Sequence, residues 1–289
     1  MQRIFHTPEG VRDIYSQECS RKQKLQEKLH RVFHQYGFED IETPTFEYFE
    51  VFSKEVGTIP SRELYKFFDR EGNTLVLRPD FTPSVSRACA TYFNPEKEVV
   101  SLCYTGNTFI NNSSFRGRLK ETTQMGVERM GDDSPEADAE ILAMTVECLL
   151  ATGLTEFQVS VGQVDYYKAI FAQTGLSQEE EEELRELISQ KNYFGVEELV
   201  KNKNMDKSLA RVLSQLPQMF GSAEILEKAK SLTDNPQALK AVARLEEIYE
   251  LLKVYGYEKY VTFDFAMLSK YHYYTGIIFQ AYTYGTGEA

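Results

Sequence analysis

The sequence has no tryptophan, and its four cysteines, Cys19, Cys89, Cys103 and Cys148, are scattered with no CxxC pair. A metal site legible in sequence wants closely spaced Cys with further Cys or His nearby, and His6, His30, His34 and His272 do not supply that. The expectation is reduced thiols in packed positions, with no metal and no cofactor. No apolar run is long enough to span a bilayer, and no apolar signal core follows Met1-Gln2-Arg3-Ile4-Phe5-His6, so a soluble, cytoplasmic protein is expected. Positive charge is also in deficit: 32 Lys and Arg against 44 Asp and Glu leave a net charge of -12. That balance argues against a large nucleic-acid footprint, which takes many cations at phosphates. Compositional bias of the fibrous or disordered kind is missing too, with 17 Gly and 9 Pro in 289 residues.

What is present suffices for a large core. The chain is 42% hydrophobic and 13% aromatic, as a globular fold requires. Residues Ile14 to Tyr36 read as a long amphipathic helix, with Leu25, Leu29, Val32 and Phe33 at helical spacing and Gly37 as its stop. Phe38 to Pro44 is extended. Tyr65 to Phe68 and Thr74 to Leu77 read as a hairpin around Arg70-Glu71-Gly72-Asn73. A helix over Thr82 to Tyr92 takes Pro83 in its first turn. Val99 to Thr108 and Glu121 to Met130 are strands joined by a polar loop, which implies an antiparallel pair. A helix over Glu136 to Ala151, capped by Ser134, is followed by a short strand, Phe157 to Gly162. From Val164 to Tyr255 the pattern is almost wholly helical; the acidic run Glu179 to Glu183 suits a solvated helix start rather than a metal site. Val261 to Phe265 and Gly276 to Tyr284 return to strands. This order gives an α+β domain with a helical insert.

Three segments hold candidate chemistry. In Leu77-Arg78-Pro79-Asp80-Phe81-Thr82-Pro83 a strand ends in a carboxylate and a hydroxyl at a helix start; Asp80 either caps that helix or, with Thr82, binds an ammonium. Along Glu121 to Glu128, alternation puts Gln124, Gly126 and Glu128 on one face, where the glycine leaves room for a ligand, unless this is an ordinary solvated face. Tyr271-His272-Tyr273-Tyr274-Thr275-Gly276 either walls a small planar ligand or is core.

Taken in order, these motifs resemble the histidyl-tRNA synthetase catalytic domain and, more closely, its non-synthetase paralogues, the regulatory subunits of ATP phosphoribosyltransferase. The resemblance runs from Thr7-Pro8-Glu9-Gly10-Val11-Arg12-Asp13 to the C-terminus. It implies a class II synthetase-like fold: an antiparallel sheet flanked by helices, with a core at 1–163 and 256–289 and a helical insertion at 164–255. It implies a histidine pocket, with Asp80 and Thr82 at the α-amino group, Gln124 and Glu128 facing the amino acid, and Tyr273 and Tyr274 around the imidazole. Arg116 and Arg118, in the motif 2 loop, are candidate phosphate or partner contacts.

The departures from the synthetase pattern are informative. Where the synthetases carry Phe-Arg-x-Glu-Arg, the chain reads Phe109-Ile110-Asn111-Asn112-Ser113; where they carry Arg-Gly-Leu-Asp it reads Ser269-Lys270-Tyr271-His272. Adenylation builds charge on phosphorus, and fixed cations aimed at it are the main stabilisation, each worth on the order of 10²–10³ in rate. With the arginine positions read as Ile110 and Ser269, no useful synthetase is expected and no catalytic residue is assigned. The motif 3 and anticodon-binding segments of the synthetases are not found before Ala289, as in a trimmed chain or a degraded paralogue. The resemblance further implies a homodimer through the motif 1 region, Lys22 to Pro44, a short-form catalytic subunit as partner, and histidine as effector. Two other readings stay open: a divergent histidyl-tRNA synthetase or related amino-acid-activating ligase, and a sensor of uncharged tRNA, the latter disfavoured by the net charge.

Overall fold

The structure, a computed structural model, describes residues 5–53, 59–112, 118–203, 205–268 and 274–283. The chain forms two compact units, Met1–Asp132 and Asp133–Ala289.

The first unit opens with helix α1 (Ser16–Gln35), which buries Val32 and Phe33 near its C-terminal end. Strands β1 (Glu39–Asp40) and β2 (Phe46–Tyr48), the short helix α2 (Glu50–Ser53), the hairpin β3 (Lys66–Phe68) and β4 (Thr74–Leu77), helix α3 (Thr82–Tyr92), and strands β5 (Val100–Phe109) and β6 (Glu121–Met130) follow. They build two three-stranded sheets, ordered β1-β5-β6 and β2-β4-β3. The β5–β6 pair is antiparallel as expected, with Tyr104 opposite Gly126 and Leu102 opposite Glu128. β1 instead runs parallel to β5. A parallel neighbour needs a long crossover, and the roughly sixty residues between the two strands provide one.

The two sheets meet at Arg78. Its backbone N–H donates to Thr45 O at 2.9 Å, and its own carbonyl accepts from Phe109 N at 3.0 Å. Its buried guanidinium donates to Asn107 O at 2.8 Å and to Thr43 O at 2.9 Å. It also lies 4.0 Å from the centre of the Phe81 ring, which stacks on Tyr104 at 4.3 Å and 10°. A Cβ at position 106 would come within 2.5 Å of Arg78 Nη2, so only glycine lets the guanidinium lie on β5. Behind this stack, Phe81, Val85, Cys89, Val100, Leu102 and Tyr104 form one apolar cluster.

The second unit contains α4 (Pro135–Thr152), β7 (Phe157–Gln163), α5 (Val164–Phe171), α6 (Gln178–Ser189), α7 (Tyr193–Asn202), α8 (Lys207–Gln215), β8 (Phe220–Gly221), α9 (Glu224–Ser231), α10 (Pro236–Tyr255), β9 (Val261–Asp264) and β10 (Ile277–Thr283). Its sheet is ordered β10-β7-β9-β8, with β7 and β9 parallel and the other pairs antiparallel. Ser134 caps α4 by accepting from Ala137 N, as its sequence predicts. The acidic run opens α6 in a capping box between Ser177 and Glu180. The fold is α+β. Among the described residues, the strands divide over three small sheets, two of which include a parallel pair.

Removing the Arg78 fork would strand the buried Thr43 carbonyl and the half-buried Asn107 carbonyl, at about 1–3 kcal/mol for a fully buried group and less for the other. Arg78→Leu is expected to lose about 2–5 kcal/mol of stability in urea unfolding. Arg78→Lys should recover less than half of it, since an ammonium lacks the planar fork. A variant as stable as wild type would show that the two sheets do not depend on this contact.

Candidate functional site

In the first unit, Asp80, Thr82, Gln124 and Glu128 come together where α3 starts over β5 and β6. The register confirms that Gln124, Gly126 and Glu128 share a face, opposite Gly106, Tyr104 and Leu102. Thr82 Oγ1 donates to Glu128 Oε1 at 2.6 Å. Tyr104 Oη donates to Glu128 Oε1, and Gln124 Nε2 donates to Tyr104 Oη, both at a long 3.5 Å. Asp80 Oδ1 accepts from the N–H of Phe81 at 2.7 Å. The N-cap of α3 is Phe81, without a side-chain cap. Asp80 therefore holds one backbone donor just outside the helix and keeps its second oxygen for other work.

The space expected above Gly126 is not open. A Cβ there would collide with the Tyr104 hydroxyl, so the glycine admits the phenol from the neighbouring strand. Sequence reading missed Tyr104 because the register of β5 on β6 depends on the geometry of a polar loop. A large residue directly opposite a glycine is the signal once that register is known.

The electrostatics are dominated by burial and by like charge. Burial raises the Glu128 carboxyl above its ordinary range and the nearby Asp80 charge raises it further, while the Thr82 hydrogen bond pulls the other way. Burial raises the Tyr104 hydroxyl too, with the Glu128 and Asp80 charges adding to it. Among the described residues, neither Asp80 nor Glu128 has an ion-pair partner. Elsewhere in the same unit the buried carboxylate of Glu47 is neutralised by Arg87 Nη2 at 2.7 Å. Two converging carboxylates are relieved by a positive group placed between them.

The remaining expected residues fall elsewhere. Arg118 is exposed. Arg116, Tyr273 and the Ser269 to His272 stretch lie outside the described residues. Tyr274, in the second unit, is 40% exposed, and its carbonyl accepts from Lys168 Nζ at 2.6 Å. The Gly276 N–H donates to Asp165 Oδ2 at 3.1 Å. Thr275 and Gly276 border a cavity of about 670 Å3 that Asp165, Lys168 and Arg244 also line. Arg244 is itself held by Asp138 at 2.7 Å.

One expectation is corrected. The histidines and cysteines do not all stay apart: His30, His34 and Cys103 converge on Asp40. Asp40 is held below its usual range, chiefly by the hydrogen bond from His30. Burial pushes the Cys103 thiol up to about 12, with the Asp40 charge adding to the rise.

The sequence and the fold have known relatives. The sequence matches the histidyl-tRNA synthetase family over residues 10–289. A histidyl-tRNA synthetase from Nostoc sp. PCC 7120 superimposes with a TM-score of 0.79 at 20% identity, covering 96% of this chain and 64% of that one, which shows the shared fold. The architecture is thus that of the synthetase-like class. An ATP phosphoribosyltransferase regulatory subunit from Acetivibrio thermocellus is 40% identical over 98% of this chain and 68% of the relative. One from Clostridium acetobutylicum is 37% identical over 98% and 70%. A crystal structure described as an ATP phosphoribosyltransferase regulatory subunit/histidyl-tRNA synthetase, from Bacillus halodurans, is similar at a TM-score of 0.89 and 31% identity, covering 99% of this chain and 74% of that one. The chain belongs to the histidyl-tRNA synthetase-like family of ATP phosphoribosyltransferase regulatory subunits.

The raised Glu128 carboxyl sets a pH dependence. A folded-state pKa above the unfolded one means that stability is greatest with the group protonated and falls as pH rises from about 4.3 through the raised value. Glu128→Gln removes that slope. Chemical unfolding should show the variant gaining on wild type as pH rises across this window, and the gain vanishing below about pH 4. A gain that grows toward acid would contradict the burial argument.

Proposed function

We propose that this chain is a non-catalytic regulatory subunit that assembles with the short catalytic form of ATP phosphoribosyltransferase, activates it, and relays feedback from histidine. The partner would carry out the condensation of ATP with phosphoribosyl pyrophosphate at the first step of histidine synthesis. The names of the relatives support the assembly, since those proteins are called regulatory subunits of that enzyme.

The observation that carries the histidine reading is the pair of carboxylates without an ion-pair partner: Glu128, bonded by Thr82, and Asp80, near enough for its charge to raise the Glu128 carboxyl. An amino acid's ammonium supplies the missing cation. Gln124 adds a polar contact from the same strand face. Tyr273 and Tyr274 are proposed to wall the imidazole, and Arg116 and Arg118 to meet phosphate or the partner.

Ile110 and Asn112 stand at positions where synthetases hold ATP, and Ser269 stands where a second arginine would be. A cleft that holds an amino acid without a guanidinium at the phosphate binds but does not activate. The run 164–255 is read as an insertion into a synthetase-like core at 1–163 and 256–289, and Lys22 to Pro44 as a homodimer surface. Feedback follows if histidine favours one assembly state, with a coupling of about 1–3 kcal/mol.

The experiment is co-purification with the catalytic subunit, followed by its assay with and without histidine. Activity that requires this chain and falls with histidine supports the reading. Asp80→Asn should weaken histidine binding by about 10- to 100-fold in calorimetry, the value of a charge-assisted hydrogen bond. Histidine-dependent ATP–pyrophosphate exchange by the chain alone would replace this reading with that of a ligase.

A further inference from the structure

Helix α1 carries His30 and His34 four residues apart, so both rings leave the same face. Their centroids are 4.2 Å apart. The helix ends at Gln35, Gly37 turns the chain at a φ of 78°, and the buried Phe38 anchors the turn below. β1 then begins at once and runs parallel to β5, in the register that sets Asp40 beside Cys103. His30 Nε2 is 2.5 Å from Asp40 Oδ1 and His34 Nε2 is 3.0 Å from Oδ2. Cys103 Sγ is 3.5 Å from Oδ1. The four donor atoms all lie within 4.8 Å of one another.

We infer that His30, His34, Asp40 and Cys103 form a tetrahedral site for a zinc-like divalent transition-metal ion. Metal–nitrogen and metal–oxygen bonds of roughly 2.0–2.2 Å and a metal–sulfur bond of roughly 2.3 Å put tetrahedral ligands some 3.2–3.7 Å apart. The observed separations, from 2.5 Å up to a limit of 4.8 Å, bracket that range, so donor–donor distances need change by no more than about an ångström for the four to close on one ion. Two imidazoles, a carboxylate and a thiolate suit zinc or cobalt; the sulfur and nitrogen donors select against magnesium and calcium. Cys103 is fully buried at the floor, whereas the His30, His34 and Asp40 side chains are 40%, 46% and 58% exposed. In the single chain the mouth therefore faces solvent and gives the ion an entry path, on the same Lys22 to Pro44 surface that is proposed to pair two copies.

On binding, the metal–sulfur bond replaces the sulfur–hydrogen bond, and the thiol proton leaves to solvent. Each imidazole presents the Nε2 lone pair with its proton on Nδ1. The ion would tie the last turns of α1 to β1 and β5. This site is separate from the Asp80 and Glu128 pair and does not depend on what that pair binds.

The test uses the full chain, stripped with a chelator and titrated with Co2+ and then Zn2+. One Co2+ per chain should bind, with the visible bands of tetrahedral cobalt and a near-ultraviolet thiolate-to-cobalt charge-transfer band, and Zn2+ should displace it. At a hundredfold excess of Zn2+ over Kd the melting temperature should rise by roughly 5–10 °C. Cys103→Ser should abolish the charge-transfer band, whereas Cys19→Ser and Cys148→Ser should leave it. His34→Gln, on the exposed side where folding is not at risk, should weaken binding by at least about tenfold. No cobalt spectrum, a band that survives Cys103→Ser, or an affinity unchanged in His34→Gln overturns the site and leaves these four side chains as a hydrogen-bonded cluster.

Discussion

The buried guanidinium of Arg78 is the contact on which the first unit's arrangement depends. Each sheet has only three strands, about the minimum for stability and then only with an apolar face or a helix packed on it, and α3 starts where both sheets can be reached. Arg78 bonds the chain near Thr43 on one side and Asn107 on the other, and spreads its cation over Phe81. Two residues later comes Asp80, and two more bring Thr82 to Glu128. The site's geometry follows from a structural arginine that touches none of the carboxylates. Gly106 and Gly126 are the complementary half of this constraint, since each leaves out a side chain where Arg78 or Tyr104 must pass.

That constraint has an electrostatic consequence. Glu128 is bonded by a threonine and a phenol, neither of which carries charge, and the nearby Asp80 charge raises its carboxyl further. Glu47 and Arg87 show how the same unit neutralises a buried carboxylate when only structure is at stake. On the proposed function, a cation entering here would offset what burying Glu128 beside Asp80 costs the free protein, and so couple binding to stability. The relatives' name gives this chemistry a setting: they are called regulatory subunits of ATP phosphoribosyltransferase.

Much of this was legible in the sequence, for reasons that can be named. α3 and β6 fall on the predicted residues because a proline-marked helix start and a ten-residue alternation are local signals. The shared face of Gln124, Gly126 and Glu128 followed from pleating alone. What the sequence did not reveal depends on register between distant segments. Tyr104 fills the space over Gly126 only because β5 and β6 pair as they do. Cys103 meets His30 and His34 only because β1 pairs with β5 in parallel, a neighbour supplied by a crossover and marked by no local motif. His30 and His34 are spaced as a helix-face pair, but their partners are six and some seventy residues further on. Tyr273 and Arg116 lie outside the described residues, so their part rests on the resemblance.

The most direct measurement is a crystal structure of the chain, with its catalytic partner if needed, grown with L-histidine. The account predicts the α-ammonium between the carboxylates of Asp80 and Glu128, within hydrogen-bond distance of both, with the Arg78 fork unchanged. Histidine held instead in the cavity lined by Lys168 and Arg244, with Asp80 and Glu128 left to water, would contradict it.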